Sequence, residues 1–262
     1  MALTGRTALV TGGSRGIGLA IVRALLAEGV NTVLTSTTAS GAAGAVAGLA
    51  AEFPQERVLG LALDVRKLAD VEAAVASAVD RFGSLDVLIN NAGASWGAKL
   101  GEFPEVGWDK VMDTNVKGVF FLTQALLPQL EAAASPDDPA RVINIGSVDG
   151  IRTPTFDTFS YGPSKAAVHA LTRQMAAHLV RRNILVNAIA PGPFPTWMLS
   201  TGIGTGGDVE GTDWDALGRT MGRGRVGNAQ DAAGLAIFLS SRASAFIVGE
   251  VIACDGGILV SG

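Results

Sequence analysis

Short, nearly continuous apolar runs alternate with longer helix-like stretches from one end of this chain to the other, and no other feature constrains its fold as tightly. The runs cover residues 7–10, 32–35, 58–62, 87–90, 142–145, 185–189 and 248–252. Being apolar throughout, they read as parallel strands buried on both faces. Between them, residues 17–27, 68–81, 115–132, 159–180 and 229–239 carry a helical pattern. Strict alternation implies right-handed crossovers and a doubly wound α/β domain, a seven-stranded parallel sheet with helices on both faces. Ligands in such sheets bind beyond the carboxyl ends of the strands, where the strand order reverses.

Composition fits this architecture and excludes others. The 262 residues make room for one large domain, expected to span 1–262. Hydrophobic residues make up 48% and charged ones 17%, as a sheet covered on both faces requires. A net charge of −4 argues against nucleic acid or an anionic membrane as partner. The single cysteine, Cys254, rules out an internal disulfide framework and fits a reducing compartment. No secretory signal precedes the first strand, and no uncharged stretch approaches the roughly 20 residues that span a bilayer, so a soluble cytoplasmic protein is expected. No clustered His, Cys, Asp or Glu spacing indicates a metal site. Two segments break the rhythm. Residues 134–140 (ASPDDPA) read as a surface loop, and residues 196–225, with Trp197, Met198, Leu199 and Trp214, as a substrate lid with short helices.

The first strand runs into Thr11-Gly12-Gly13-Ser14-Arg15-Gly16-Ile17-Gly18 and then a helix. Glycines there let backbone N–H groups and a helix N-terminus receive a pyrophosphate without intervening side chains, which makes the domain Rossmann-type. Sites for NAD commonly place an acid at the end of the second strand to hold the ribose 2′-hydroxyl. Here Thr35, Ser36, Thr37 and Thr38 occupy that place, with Arg15 in the adjacent loop. Hydroxyls and a guanidinium suit a 2′-phosphate that a carboxylate would repel, so NADP(H) is the expected cofactor.

Tyr161 is the only tyrosine, and Lys165 follows it by one helical turn. That spacing puts a phenol and an ammonium on one helix face, where the cation favours phenolate and is expected to lower the phenol from its usual pKa of about 10. Ser147 lies upstream, after the fifth strand. With the glycine loop and Asn90-Asn91-Ala92-Gly93 after the fourth strand, this order resembles the short-chain dehydrogenase/reductase family over essentially the whole chain. The resemblance implies that Tyr161 exchanges a proton with the carbonyl or alcohol oxygen, that Lys165 depresses its pKa and holds the nicotinamide ribose, and that Ser147 donates to the developing oxyanion. It further implies that Asn115 distorts its helix and anchors a proton-relay water. Asn91, Ala92 and Gly93 match the adenine side of the cleft, Asp64 and Val65 the adenine contact, and Pro191, Gly192 and Thr196 the segment holding the nicotinamide carboxamide. His169 and His178 receive no role from it and read as packing or surface residues, while Cys254 reads as inert packing.

Within the family, NNAGASWGA, PARVINIGSV, YGPSKAA and APGPFP look like the rhamnolipid-pathway 3-oxoacyl reductases, themselves similar to β-ketoacyl-carrier-protein reductases. That implies NADPH-dependent reduction of a 3-oxoacyl or similar apolar ketone. Asp149 departs from the pattern by placing an acid near the pocket, and Asp137 and Asp138 would not help an acidic carrier protein dock, though Arg173, Arg181 and Arg182 could compensate. A dehydrogenase of a cyclic alcohol, steroid or sugar stays open, as does a non-catalytic NADP(H) sensor. Apolar residues such as Phe120, Phe121, Leu122, Leu126 and Leu127 are too many for one buried helix face, and the last strand is an apolar edge. Both features, and the family, point to a homotetramer.

Overall fold

The structure, a computed structural model, describes residues 3–154, 156–202 and 206–261. Seven strands form one sheet in the order β3-β2-β1-β4-β5-β6-β7, and every neighbouring pair is parallel. They are β1 (Thr7–Val10), β2 (Asn31–Ser36), β3 (Val58–Ala62), β4 (Val87–Asn90), β5 (Ala140–Ile145), β6 (Ile184–Pro191) and β7 (Val251–Cys254). The chain winds outward from β1 in one direction, returns, and winds outward from β4 in the other. The switch point therefore lies between β1 and β4, and the crevice beyond their carboxyl ends is the default ligand position.

The strands sort their side chains by a period of two. Leu9, Leu88 and Val142 face one layer of helices, and Val10, Ile89 and Ile143 face the other. The first layer comprises α3 (Leu68–Phe82), α5 (Gly118–Ala133) and α6 (Tyr161–Leu179). The second comprises α1 (Gly16–Ala27), α2 (Ala39–Leu49) and α9 (Ala229–Ser240). Among the described residues three shorter helices complete the set: α4 (Glu105–Met112), α7 (Trp197–Gly202) and α8 (Trp214–Gly218).

Several details differ from the sequence reading. Helix α2 carries the glycine-rich stretch ASGAAGAVAGL, which buries only Ala42 and Leu49 and so shows no apolar stripe; the Thr38 side chain caps it by accepting from the Gly41 N–H. Helices α4 and α5 run on through a π-turn at Asp113–Lys117. The last strand begins at Val251, not 248, because Gly249 takes a left-handed φ of 74°. Leu122 and Leu126 belong to the core, which leaves Phe120 and Phe121 as the exposed excess on α5. Cys254 is half-buried, and its thiol, pushed up mainly by burial, lies 3.5 Å from the Asp231 carbonyl. The expected lid contains α7 and α8, and its residues 203–205 lie outside the described residues. Among the described residues no helix is long and apolar enough to cross a membrane.

Candidate active site

At the switch point the glycine loop is held from below. Thr11 Oγ1 accepts from the N–H groups of Asn91 and Ala92, both at 2.9 Å, and the Asn91 amide donates to the carbonyls of Thr11 (2.8 Å) and Gly12 (3.1 Å). Asn91 therefore fastens the end of β4 to the loop. A Cβ on Gly18 would lie 2.4 Å from the Asn91 amide nitrogen, so this close approach requires glycine. Helix α1 begins at Gly16 with no side-chain cap on its N-terminus and no acid in its first turn, leaving a positive helix end facing the crevice. A cavity of about 370 Å³ opens there, lined by Gly16, Ile17, Phe194, Thr196 and Asn228 among others. Ser14 is half-buried beside it.

The remaining cofactor candidates lie at the ends of neighbouring strands and loops. Ser36 ends β2 and Thr37 is exposed beyond it, with no acid among them. Arg15 is exposed, and its guanidinium stacks 5.1 Å from the Trp197 ring. Asp64 receives both Arg66 Nε (2.8 Å) and Nη2 (2.6 Å), and that hydrogen bonding holds its carboxyl below the usual range. Val65 is buried against Gly118. Pro191 pairs with Cys254 at the end of β6, the Gly192 N–H donates to the Cys254 carbonyl, and Thr196 reaches across to Gly16. An uncapped helix end, glycines packed too tightly for a Cβ, and hydroxyls with an arginine in place of an acid fit a dinucleotide carrying a 2′-phosphate.

Ser147, Tyr161 and Lys165 meet beside this cradle. β5 delivers Ser147, whose hydroxyl accepts from the Asp149 N–H at 3.1 Å and hydrogen-bonds the Tyr161 phenol. Tyr161 and Lys165 occupy the first turns of α6. Lys165 is buried; its ammonium donates to the Ile145 carbonyl at 2.7 Å and lies 5.6 Å from the Tyr161 ring centroid. Gly93 backs them, with a Cβ there falling 3.7 Å from Lys165 Nζ. Asn115 sits in the π-turn: its Oδ1 accepts from the Ala94 N–H (2.8 Å), and Nδ2 donates to the Ala94 carbonyl (2.9 Å) and Ser164 Oγ (2.9 Å). That amide ties the β4–α4 loop to α6.

The electrostatics correct one expectation. Tyr161 is raised to about 12, chiefly by burial; the Ser147 hydrogen bond opposes this and the Asp149 charge adds to it. Burial alone lowers Lys165 to about 8. The protein by itself therefore favours a protonated phenol, and one turn of helix is not enough for the ammonium to reverse the desolvation. Asp149, largely buried, is met by Arg152 Nε at 3.3 Å. Among the described residues no group of three His, Cys, Asp or Glu could hold a metal ion.

The profile of the short chain dehydrogenase family matches residues 6–202, well over half the chain. The chain belongs to the short-chain dehydrogenase family. It is accordingly an oxidoreductase acting on a small molecule. It is 42% identical to the rhamnolipids biosynthesis 3-oxoacyl-[acyl-carrier-protein] reductase of Pseudomonas aeruginosa, covering 97% of this chain and 96% of that one. It is 38% identical to the gluconate 5-dehydrogenase of Gluconobacter oxydans, covering 99% and 96%. Among solved short-chain dehydrogenases, the Pseudomonas aeruginosa RhlG/NADP active-site complex superposes with a TM-score of 0.89 at 41% identity, over 98% of this chain and 97% of that chain. A gluconate 5-dehydrogenase from Burkholderia cenocepacia in complex with NADP and tartrate gives 0.87 at 32% identity, over 99% and 97%.

Two features of this short-chain dehydrogenase escaped the sequence reading. Asn90 and Asn144, in register at the ends of β4 and β5, share a buried hydrogen bond of 2.9 Å that continues to Thr123 on α5 and Thr172 on α6. A single asparagine at the same place in two otherwise apolar runs was the available signal. His169 is the other. It is 3% exposed, and its Nε2 accepts from the Ser147 N–H at 3.4 Å, whereas His178 is exposed.

Proposed function

We propose that this chain reduces a ketone, a 3-oxoacyl group or similar apolar carbonyl, to the secondary alcohol with NADPH. The observation that carries the reading is the meeting of the Ser147 and Tyr161 hydroxyls beside the buried Lys165 ammonium. NADPH, when bound, supplies the hydride to the carbonyl carbon. Gly12, Ser14, Gly16, Ile17 and Gly18 take the pyrophosphate at the α1 N-terminus, and Arg15 with Ser36 and Thr37 takes the 2′-phosphate. Ala92, Gly93, Asp64 and Val65 line the adenosine side, with Asn91 holding the loop in place; Pro191, Gly192 and Thr196 border the nicotinamide. The NADP complexes among its relatives support that choice.

Tyr161 gives its proton to the carbonyl oxygen, and its high intrinsic pKa keeps that proton available across the neutral range. Ser147 donates a hydrogen bond to the same oxygen as charge develops, a placed donor of the kind that lowers barriers by about 3 kcal/mol. Lys165 stabilises the phenolate left behind until solvent returns the proton. Asn115 holds the loop and helix that frame these groups. Residues 196–225 close over the substrate as a lid on the single domain, and the enzyme works in the cytoplasm as a homotetramer.

A second reading, oxidation of a polyhydroxy acid or sugar alcohol, draws on the Asp149–Arg152 pair close to Tyr161, which offers a carboxylate and a guanidinium to a polar substrate. The likeness to gluconate 5-dehydrogenases agrees with it. A panel of 3-oxoacyl thioesters and keto-gluconates, assayed in both directions with NADPH and NADP, separates the two. Higher kcat/KM on 3-oxoacyl thioesters is expected. Higher kcat/KM on the keto-sugar acids decides for the second reading, and silence across the panel despite NADPH binding points to a sensor.

A further inference from the structure

The proposed chemistry needs Ser147 and Tyr161 in register, yet the two arrive on different elements: Ser147 on the turn after β5, Tyr161 at the start of α6. His169 joins them. It follows Tyr161 by eight residues and Lys165 by four, so its ring leaves the same face of α6. There it lies within the turn formed by residues 146–150 and is almost wholly buried. Nε2 accepts from the Ser147 N–H at 3.4 Å, and the ring makes a second hydrogen bond to the Gly150 backbone. A nitrogen that accepts carries no proton, so in the neutral ring Nδ1 holds it, and the Gly150 backbone is the ring's other hydrogen-bonding partner. The ring thus closes both ends of the turn whose middle residues are Ser147, Val148 and Asp149.

The turn is built to admit that ring. A Cβ on Gly146 would lie 2.2 Å from His169 Nε2, and one on Gly150 2.8 Å from Cε1. Glycines therefore flank the serine on both sides where the imidazole enters. Burial, with the charges of Lys165 and Arg173, lowers His169 to about 4, so the neutral ring with one donor and one acceptor is the form present in the neutral range. Its hydrogen-bond partners are the backbone groups of Ser147 and Gly150, which suits a positioning role and not that of a general acid.

We propose that His169 is a positioning residue, whose neutral Nδ1–H tautomer pins the 146–150 turn to α6 and so sets the Ser147 hydroxyl against Tyr161. The proposal rests on the reading of Ser147 as the oxyanion donor. Two measurements test it. The first uses the unaltered protein: with only two histidines in the chain, ring ¹⁵N spectra assign each tautomer. A neutral Nδ1–H ring at His169 is expected; an Nε2–H ring overturns the proposal, since that nitrogen could not then accept from Ser147.

The second measurement is a cycle of His169→Leu, Ser147→Ala and the double variant, with kcat, KM and NADPH affinity read for each. His169→Leu should lower kcat about ten-fold or more while NADPH affinity stays within about two-fold, and His169→Gln, which restores a donor and an acceptor, should recover most of the loss. In the Ser147→Ala background His169→Leu should cost nothing further. A full additive loss there, with Ser147→Ala itself strongly impaired, overturns the positioning role and leaves the Ser147 reading standing. Full turnover by Ser147→Ala removes that reading and this proposal with it. Should His169→Leu not fold, His169→Ala in the same cycle and the tautomer of the unaltered protein decide.

Discussion

At the scale of single residues, charge is managed by burial more than by pairing. Tyr161 and Lys165 are pushed in opposite directions, to about 12 and about 8, each chiefly by desolvation. His169 is lowered from 6.5 to about 4. Between those two values the unfolded chain binds a proton that the folded chain refuses, so stability rises with pH across that window and is lost as pH falls through it. The histidine contributes on the order of 3 kcal/mol to that loss. Chemical denaturation at pH 7 and near pH 4 should show the unaltered protein losing more stability than His169→Gln; equal losses would mean the imidazole is not what titrates. Arg15 belongs to the same scale. Its guanidinium is exposed and stacked on the Trp197 ring, and in the proposed function it takes the 2′-phosphate with Ser36 and Thr37. Arg15→Ala should narrow the preference for NADPH over NADH about ten-fold, or about 1.4 kcal/mol, in binding titrations. An equal weakening toward both cofactors would place Arg15 on the pyrophosphate instead.

At the scale of elements, the site is a joint between β4, β5, α5 and α6, and buried amides lock it. Asn90 and Asn144 bridge the two strands and reach Thr123 and Thr172 on the helices. Asn144→Ala would leave one N–H of the Asn90 amide unpaired in the core and should cost about 2 kcal/mol in denaturant unfolding. A loss under about 0.5 kcal/mol would show that the network is decorative. This scale also marks how far the sequence could be read. Continuous apolar runs and helical patterns located all seven strands and the major helices to within a few residues, because apolar burial writes itself directly into the chain. Helix α2 was invisible, since small residues and glycines leave no stripe and its start is fixed by the Thr38 cap. Tyr161, Lys165 and the glycine loop were legible because their chemistry needs fixed local spacing. His169 was not, because its partners, Ser147 and Gly150, come from a segment about 20 residues earlier and only the fold brings them together.

At the scale of the whole molecule, the sheet leaves apolar surface uncovered. Phe120 and Phe121 stand 40% and 36% exposed on α5, around a depression of about 400 Å³ shared with Met112, Val116 and Leu171, and Phe246 and Val260 project near the β7 edge. Surface of this kind on separate faces suits two sets of isologous contacts. Sedimentation at micromolar concentration should give about four times 26.7 kDa, and Phe120→Glu with Phe121→Glu should halve it; a mass near 26.7 kDa for the unaltered chain would leave those faces unexplained. The central claim, that the chain reduces ketones with Tyr161 as proton donor, is tested most directly by comparing the unaltered protein with Tyr161→Phe. NADPH binding and NADPH consumption are followed in the presence of a 3-oxoacyl thioester. The unaltered enzyme should consume one NADPH per alcohol formed, while Tyr161→Phe binds NADPH with unchanged affinity and loses about three orders of magnitude in kcat. Turnover by Tyr161→Phe within about ten-fold of the unaltered enzyme would contradict the assignment.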